Sequence, residues 1–232
     1  MHAFYLPDLA RGANELPEDE ARHATSVLRL RVGDRISLLD GKGTRAEATI
    51  EGISKHGCAV RVVDRTVLSP ERKARIHLAV APTKQMERFE WMLEKCTEIG
   101  VDRITPLITE RSEREKLRRG RLERVMVSAM KQSQRVWLPE LDEPTSLNDL
   151  ISGKIPAQRL FGWCEGERTS LTSTYRPQED TVLLIGPEGD FTPEEARTLM
   201  DSAFAPVSMG VARLRTETAA ITACAWMNLA HV

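Results

Sequence analysis

Residues 181–196, TVLLIGPEGDFTPEEA, constrain the fold of this chain more than any other stretch. Four apolar residues from Val182 to Ile185 run into Gly186-Pro187-Glu188-Gly189-Asp190 and then Thr192-Pro193-Glu194-Glu195. A short apolar run bounded by turn residues reads as a strand buried on both faces. Thr192 stands as an N-cap, Pro193 as first helical residue, and Glu195 three residues after the cap. Those positions form a capping box opening a helix with Ala196, Leu199 and Met200 on its inner side. A fully buried strand needs helices over both faces of its sheet, which implies a mostly parallel α/β arrangement.

The remaining pattern extends that reading. Residues 74–82, 103–109, 159–164 and 206–210 are further strand candidates. Met86, Phe89, Leu93, Cys96 and Ile99 share one helical face, with Gly100 as C-cap; Leu122, Val125, Met126 and Ala129 form a second stripe over residues 121–134. Upstream the period changes. Residues 30–68 alternate apolar and polar, with turn signals at Gly33-Asp34, Asp40-Gly41 and His56-Gly57, as expected of a small antiparallel barrel preceded by a helical stretch at 17–30. A polar, proline-bearing linker at 68–74 separates the two patterns, so the domains expected are 1–70 and 73–232.

The loop at 186–190 is neither of the familiar phosphate cradles. No Gly-Lys-Ser/Thr follows it, and the three-glycine dinucleotide spacing is missing. Its glycines permit close backbone approach, while Glu188 and Asp190 would repel a phosphate and tolerate a cationic ligand. By itself it is equally a plain strand–turn–helix connection. A second constellation follows the strand candidate at 206–210, where Arg213, Arg215, Thr216, Glu217 and Thr218 precede an Ala-rich helix. Thr216 or Thr218 is positioned to cap that helix; the plain alternative is a solvated helix start with an Arg–Glu surface pair.

The third feature is electrostatic. The net charge is −1, yet between positions 111 and 135 the cations Arg111, Arg114, Lys116, Arg118, Arg119, Arg121, Arg124, Lys131 and Arg135 face only Glu113, Glu115 and Glu123. Such a face suits nucleic-acid phosphates, and equally a solvated helix. Cys58, Cys96, Cys164 and Cys224 stand apart with no CxxC or Cys/His cluster, so neither a zinc site nor a disulfide framework is expected. The opening MHAFYLPDLARG has no signal-peptide pattern and residues 219–230 are too short and polar to span a bilayer; a soluble cytoplasmic protein without membrane or metal partner is expected.

Taken in order, five segments resemble the bacterial 16S rRNA uridine-N3 methyltransferases of the SPOUT class. They are RHATSVLRLRVGDRISLLDGKG, MERFEWMLEKCTEIGVDRITPLITERSE, KQSQRVWLPEL, LLIGPEGDFTPEE and LRTETA. The resemblance implies a PUA-like barrel followed by an α/β SPOUT domain ending in a trefoil knot, with S-adenosylmethionine as cofactor and a homodimer completing the site. Carried over, the cofactor-binding residues are Ile185, Gly186, Pro187, Glu188, Gly189, Met209, Gly210, Leu214, Arg215, Thr216, Glu217 and Thr218. The chain departs from the commonest family form at Asp190 and Gln134, where that form has glycine, and at Ala212-Arg213, where it has Arg-Ile.

Methylation at uridine N3 requires loss of a proton or stabilisation of the imide anion, so a cation near the base is needed; Arg215 and Arg213 are the candidates, beside the alternative that Arg215 only pairs with Glu217 or fixes the loops. The target base must be splayed out of 16S rRNA, or of the assembled small subunit. Candidate phosphate contacts are Arg29, Arg31 and Lys42 in the barrel and Arg114, Arg118, Arg119 and Arg135 beyond it; His23 reads as a packing or capping residue. The rival functions are a SPOUT enzyme acting on a ribose 2′-hydroxyl or a guanine, and a non-catalytic RNA-binding assembly factor.

Overall fold

The computed structural model describes residues 1–54, 57–114 and 116–231; the turn residue His56 and the acid Glu115 of the basic stretch lie outside the described residues. The chain divides into two compact units, Met1–Glu71 with Val127–Leu138, and Arg72–Met126 with Pro139–Val232. The linker at 68–74 is therefore one of three crossings, because the chain returns to the first unit for residues 127–138.

The first unit holds β1 (Ala3–Tyr5), α1 (Glu18–Arg22), β2 (Arg35–Leu39), β3 (Thr44–Ile53) and β4 (Cys58–Val67). They form a sheet ordered β1-β2-β3-β4, antiparallel except for the parallel β1–β2 pair. The alternation read from the sequence is the pleat: Ala46, Ala48 and Ile50 of β3 face inward onto Phe4, Ile36, Leu38 and Val60. The expected helix at 17–30 is shorter, five α-helical residues and then a π-helical turn at His23–Val27. Arg29 follows it at φ 55°, a left-handed conformation that no helix continues through. His23 stands edge-on to Phe4 with ring centroids 6.2 Å apart, a packing role.

The second unit begins with β5 (Ile76–Val80), α2 (Met86–Ile99), β6 (Arg103–Ile108) and α3 (Arg119–Ser133), whose last residues belong to the first unit. It continues with β7 (Glu140–Leu141), β8 (Thr145–Ser146), α4 (Leu147–Ser152), β9 (Gln158–Gly162), β10 (Thr169–Ser170) and α5 (Leu171–Thr174). It closes with β11 (Thr181–Ile185), α6 (Pro193–Asp201), β12 (Ala205–Ser208) and α7 (Thr216–Leu229). Among the described residues the sheet runs β10-β12-β9-β11-β5-β6-β7, with β8 also on β6, and every pair is parallel.

The apolar runs occupy its centre. Every residue of β5 and β11 is buried, which is what a strand covered on both faces demands. Phe89, Met92, Leu93 and Cys96 of α2 are buried, and α2 ends at Gly100, whose φ of 109° suits only glycine. The capping box forms as read: Thr192 Oγ1 accepts from Glu195 N–H at 3.2 Å, and Glu195 Oε2 accepts from Thr192 N–H at 2.9 Å. The strand candidate at 206–210 ends earlier, at Ser208, because Gly210 turns the chain away at φ 144°. Gln134 and Asp190, the two departures from glycine, both keep positive φ, at 57° and 63°.

Candidate functional site

Parallel strands deliver their carboxyl ends to one edge of a sheet, and ligands of open α/β sheets sit beyond that edge. Here β12, β9 and β11 are adjacent, so the loops after them meet although they lie far apart in sequence. Together they enclose a cavity of about 540 Å³, within the usual range for a small-molecule site. Its wall includes Ile185, Gly186, Pro187, Glu188, Met209, Gly210, Arg213, Leu214, Arg215 and Thr216 from the sequence reading. Gly189, Glu217 and Thr218 stand next to wall residues in the same two segments and are not themselves part of the wall.

The loop after β11 is held from several sides. Its first residue, Gly186, has little room for a side chain, since a Cβ there would stand 3.1 Å from the Phe191 ring and 3.2 Å from the Phe191 nitrogen. The Gly186 carbonyl accepts a hydrogen bond at 3.0 Å from the buried hydroxyl of Thr216. Thr216 is thus not the cap of α7. Arg215 occupies the cap position and makes no side-chain cap bond, so the backbone N–H groups of the first turn stay open. Arg111 donates to the Gly189 carbonyl at 2.6 Å, tying the loop to the segment after β6.

Glu217 differs from the solvated acid of the plain alternative. It is buried, and its partner is not Arg215: Arg88 Nη1 of α2 lies 3.8 Å from Glu217 Oε1 and 4.0 Å from Glu188 Oε1. Arg88 itself lines the cavity. The guanidinium therefore sits between the first turn of α7 and the acidic loop. Arg213 reaches towards the Glu188 carbonyl at 3.5 Å, at the limit of a hydrogen bond, and Arg215 is exposed.

Sequence reasoning missed the third wall, Gly162, Trp163, Cys164, Glu165 and Arg168. The available signal was Gly162 inside the strand candidate at 159–164; the strand ends at that glycine, two residues earlier than expected, at the end where ligands bind. Asp190, which the sequence marked only by its charge, joins this wall to the loop after β11: its Oδ2 accepts from the Cys164 N–H at 3.0 Å. Burial, and then the Asp190 carboxylate, push the Cys164 thiol up.

The candidate phosphate contacts divide by their partners. Arg29 and Arg31 are exposed, and Lys42 Nζ donates to the Pro7 carbonyl at 3.0 Å. Arg114 donates to the Lys84 carbonyl at 3.0 Å, and Arg118 is exposed. Arg119 pairs with both Glu123 and Glu143 at 2.7 Å, and Arg135 with Glu71 at 2.7 Å. Arg121 is held by Glu90 at 2.5 Å and Lys131 by Glu20 at 2.6 Å, so much of the cationic excess is compensated within the fold. Among the described residues no cluster of three His, Cys, Asp or Glu is arranged to hold a metal ion, and no helix is long and apolar enough to cross a membrane.

Comparison with known proteins agrees with this architecture. Residues 70–228 match an RNA methyltransferase domain and residues 16–63 an RNA methyltransferase PUA domain. Ribosomal RNA small subunit methyltransferase E of Rickettsia conorii is 31% identical over 93% of this chain and 89% of its own. The crystal structure of a probable rRNA-methyltransferase from Porphyromonas gingivalis superposes with a TM-score of 0.91 at 41% identity, covering 99% of this chain and 98% of that one. A ribosomal RNA small subunit methyltransferase E from Neisseria gonorrhoeae, bound to S-adenosyl methionine, gives 0.88 at 30% identity over 99% and 98%. With a parallel sheet that gathers three loops around one cavity, and a small N-terminal sheet unit ahead of it, the chain belongs to the RNA methyltransferase family that includes ribosomal RNA small subunit methyltransferase E.

Proposed function

We propose that this protein transfers a methyl group from S-adenosylmethionine to N3 of a uridine in 16S rRNA, in the bacterial cytoplasm. The observation that carries the reading is the cavity at the ends of β9, β11 and β12, in a chain whose relative from Neisseria gonorrhoeae is bound to S-adenosyl methionine. The residues fit that group. The volume of about 540 Å³ suits it, Ile185, Leu214 and Ala219 supply apolar wall, and Gly186 and Gly210 let backbone approach closely. When bound, the cofactor supplies an activated methyl on a sulfonium cation, which an acidic loop tolerates and a phosphate cradle would not.

The residues of the chain then have two tasks. The loops position the donor, and alignment of donor with acceptor supplies much of the acceleration. Arg215, exposed at the head of α7, and Arg213 beside it are the cations that would stabilise the imide anion formed as N3 loses its proton. Flanking phosphates would be met by Arg29, Arg31 and Lys42 in one unit and by Arg114 and Arg118 in the other, with Arg119 and Arg135 secondary because carboxylates already hold them.

Two further features support the reading. After β12 the chain turns through residues 209–215 and packs α7 onto α2, β5 and β11, on the other side of β9 from β12, which supports a knotted C-terminus. Val211 in the loop after β12 is fully exposed, and Trp226 and Leu229 of α7 are 41% and 69% exposed, large apolar side chains that a second copy of the chain would cover. The test is nucleoside mass spectrometry of 16S rRNA from a deletion strain and its complement. Loss and restoration of 3-methyluridine are expected; its retention in the deletion strain, or loss of a 2′-O-methyl or methylguanine mark instead, would overturn the assignment.

A further inference from the structure

Asp190 combines features that a turn residue does not need. It holds a positive φ of 63°, a conformation in which glycine is unstrained and a side chain is not. Its backbone N–H closes the turn on the Pro187 carbonyl at 2.9 Å, which glycine would do as well. Its side chain, however, is buried, the residue being only 6% exposed, and both oxygens are engaged. Oδ1 accepts from the Phe191 N–H at 2.8 Å, inside its own loop. Oδ2 accepts from the Cys164 N–H at 3.0 Å, in the loop after β9.

The carboxylate therefore spans two walls of the same cavity, both of which Asp190 and Cys164 line. No β-ladder performs this task, because β9 and β11 end their pairing at Phe161 and Leu184. Beyond those residues the Trp163 N–H still donates to the Val207 carbonyl at 3.0 Å, which ties the loop after β9 to β12 but leaves its distance from the loop after β11 to contacts that cross between them. Charge-assisted bonds to backbone N–H groups are short, directional and stronger than neutral ones, so they fix separation rather than merely fill space. A Cβ on Gly162 would stand 3.0 Å from Met209 Cε and 3.2 Å from Ile185 Cδ1, so the walls already meet closely at the base. A shift of the upper wall would be felt throughout the cavity.

We infer that Asp190 is a positioning residue for the methyl donor, holding the wall of Trp163 and Cys164 at a set distance from Gly186 and Pro187. This rests on the cofactor reading above. The experiment is isothermal titration of S-adenosylmethionine and of its demethylated product into the full-length wild type, Asp190→Gly and Asp190→Asn, with ligand-free melting curves for each. In Asp190→Gly both ligands should weaken by about tenfold, the equivalent of one lost charge-assisted bond, while Tm reports only the balance between relieved left-handed strain and the Phe191 and Cys164 N–H groups left unpaired. Asp190→Asn keeps one carbonyl acceptor and should fall between.

Unchanged affinities in Asp190→Gly would overturn the inference. So would a lower Tm with affinities intact, the mark of a purely structural residue. Weakening of the sulfonium ligand alone would overturn it too, because the carboxylate would then act through its charge and not through the wall. A wild type that binds neither ligand would refute the cofactor reading itself, visible before any variant is compared.

Discussion

The bond from Thr216 to the Gly186 carbonyl is where the head of α7 and the loop after β11 are joined, and Thr216→Val tests it. Valine keeps the branched shape and deletes only the hydroxyl. Both residues are buried, and the hydroxyl at 3.0 Å is the sole donor to that carbonyl among the described residues. The variant leaves a buried acceptor unpaired, at a cost of about 1–3 kcal/mol. Since about 1.4 kcal/mol is a factor of ten, an equilibrium constant should move by fivefold or more. Urea unfolding reads the part of that cost borne by the fold, and titration of S-adenosylmethionine reads the part borne by the loop. Thr216→Ser restores a hydroxyl and should recover most of the loss. A valine variant equal to wild type in both assays, or a serine variant as impaired as the valine one, would refute the reasoning.

Other outcomes follow from the same geometry. His77 is buried, its Nε2–H donates to Thr105 Oγ1 at 2.7 Å, and Thr105 in turn donates to Asp142, which Arg103 holds. Burial first, then the Arg103 charge, lower its pKa from 6.5 to about 4, with Arg75 adding to the fall and Asp142 and Glu140 opposing it. Between those values the unfolded chain takes up a proton that the folded chain refuses, so stability present above pH 6.5 is lost on acidification; this histidine should lower the unfolding free energy by about 2 kcal/mol from pH 7.5 to 5, a share of the slope that His77→Gln removes. Arg215→Ala should retain cofactor affinity and lose about a hundredfold in single-turnover methylation; lost cofactor binding with no separate effect on rate would make it a loop-fixing residue. Charge reversal at Arg114 and Arg118 should lower the salt dependence of RNA binding by about one unit of slope per contact, whereas Arg119→Glu, already facing Glu123 and Glu143, should mainly lower stability.

Local chemistry made part of this protein legible in its sequence. The apolar run Thr181–Ile185, the capping box at Thr192 and Glu195, the Gly100 stop and the alternation of β3 are written in neighbouring residues, so period and cap residues suffice to read them. Two of the three loops around the cavity were legible for the same reason, as glycine-bearing segments next to a strand or a helix start. The partners of those segments were not. Residues 127–138 carry an ordinary apolar stripe, and a stripe states that a face is buried without stating in which core; only packing assigned Met130 and Val136 to Leu39 of the first unit. Charge counting found nine cations between 111 and 135, but an ion pair depends on distance, and the tertiary fold set Arg121 against Glu90 and Arg135 against Glu71. Glu217 stood open between a cofactor-binding residue and half of a solvated Arg–Glu pair until α2 brought Arg88 against it. Asp190 read only as an acid of a loop that tolerates a cationic ligand until strand order set β9 beside β11 and Cys164 within its reach. Sequence determined the elements because their forces act over a few residues; tertiary structure decided the site, because strand order alone brings together loops that are separated along the chain.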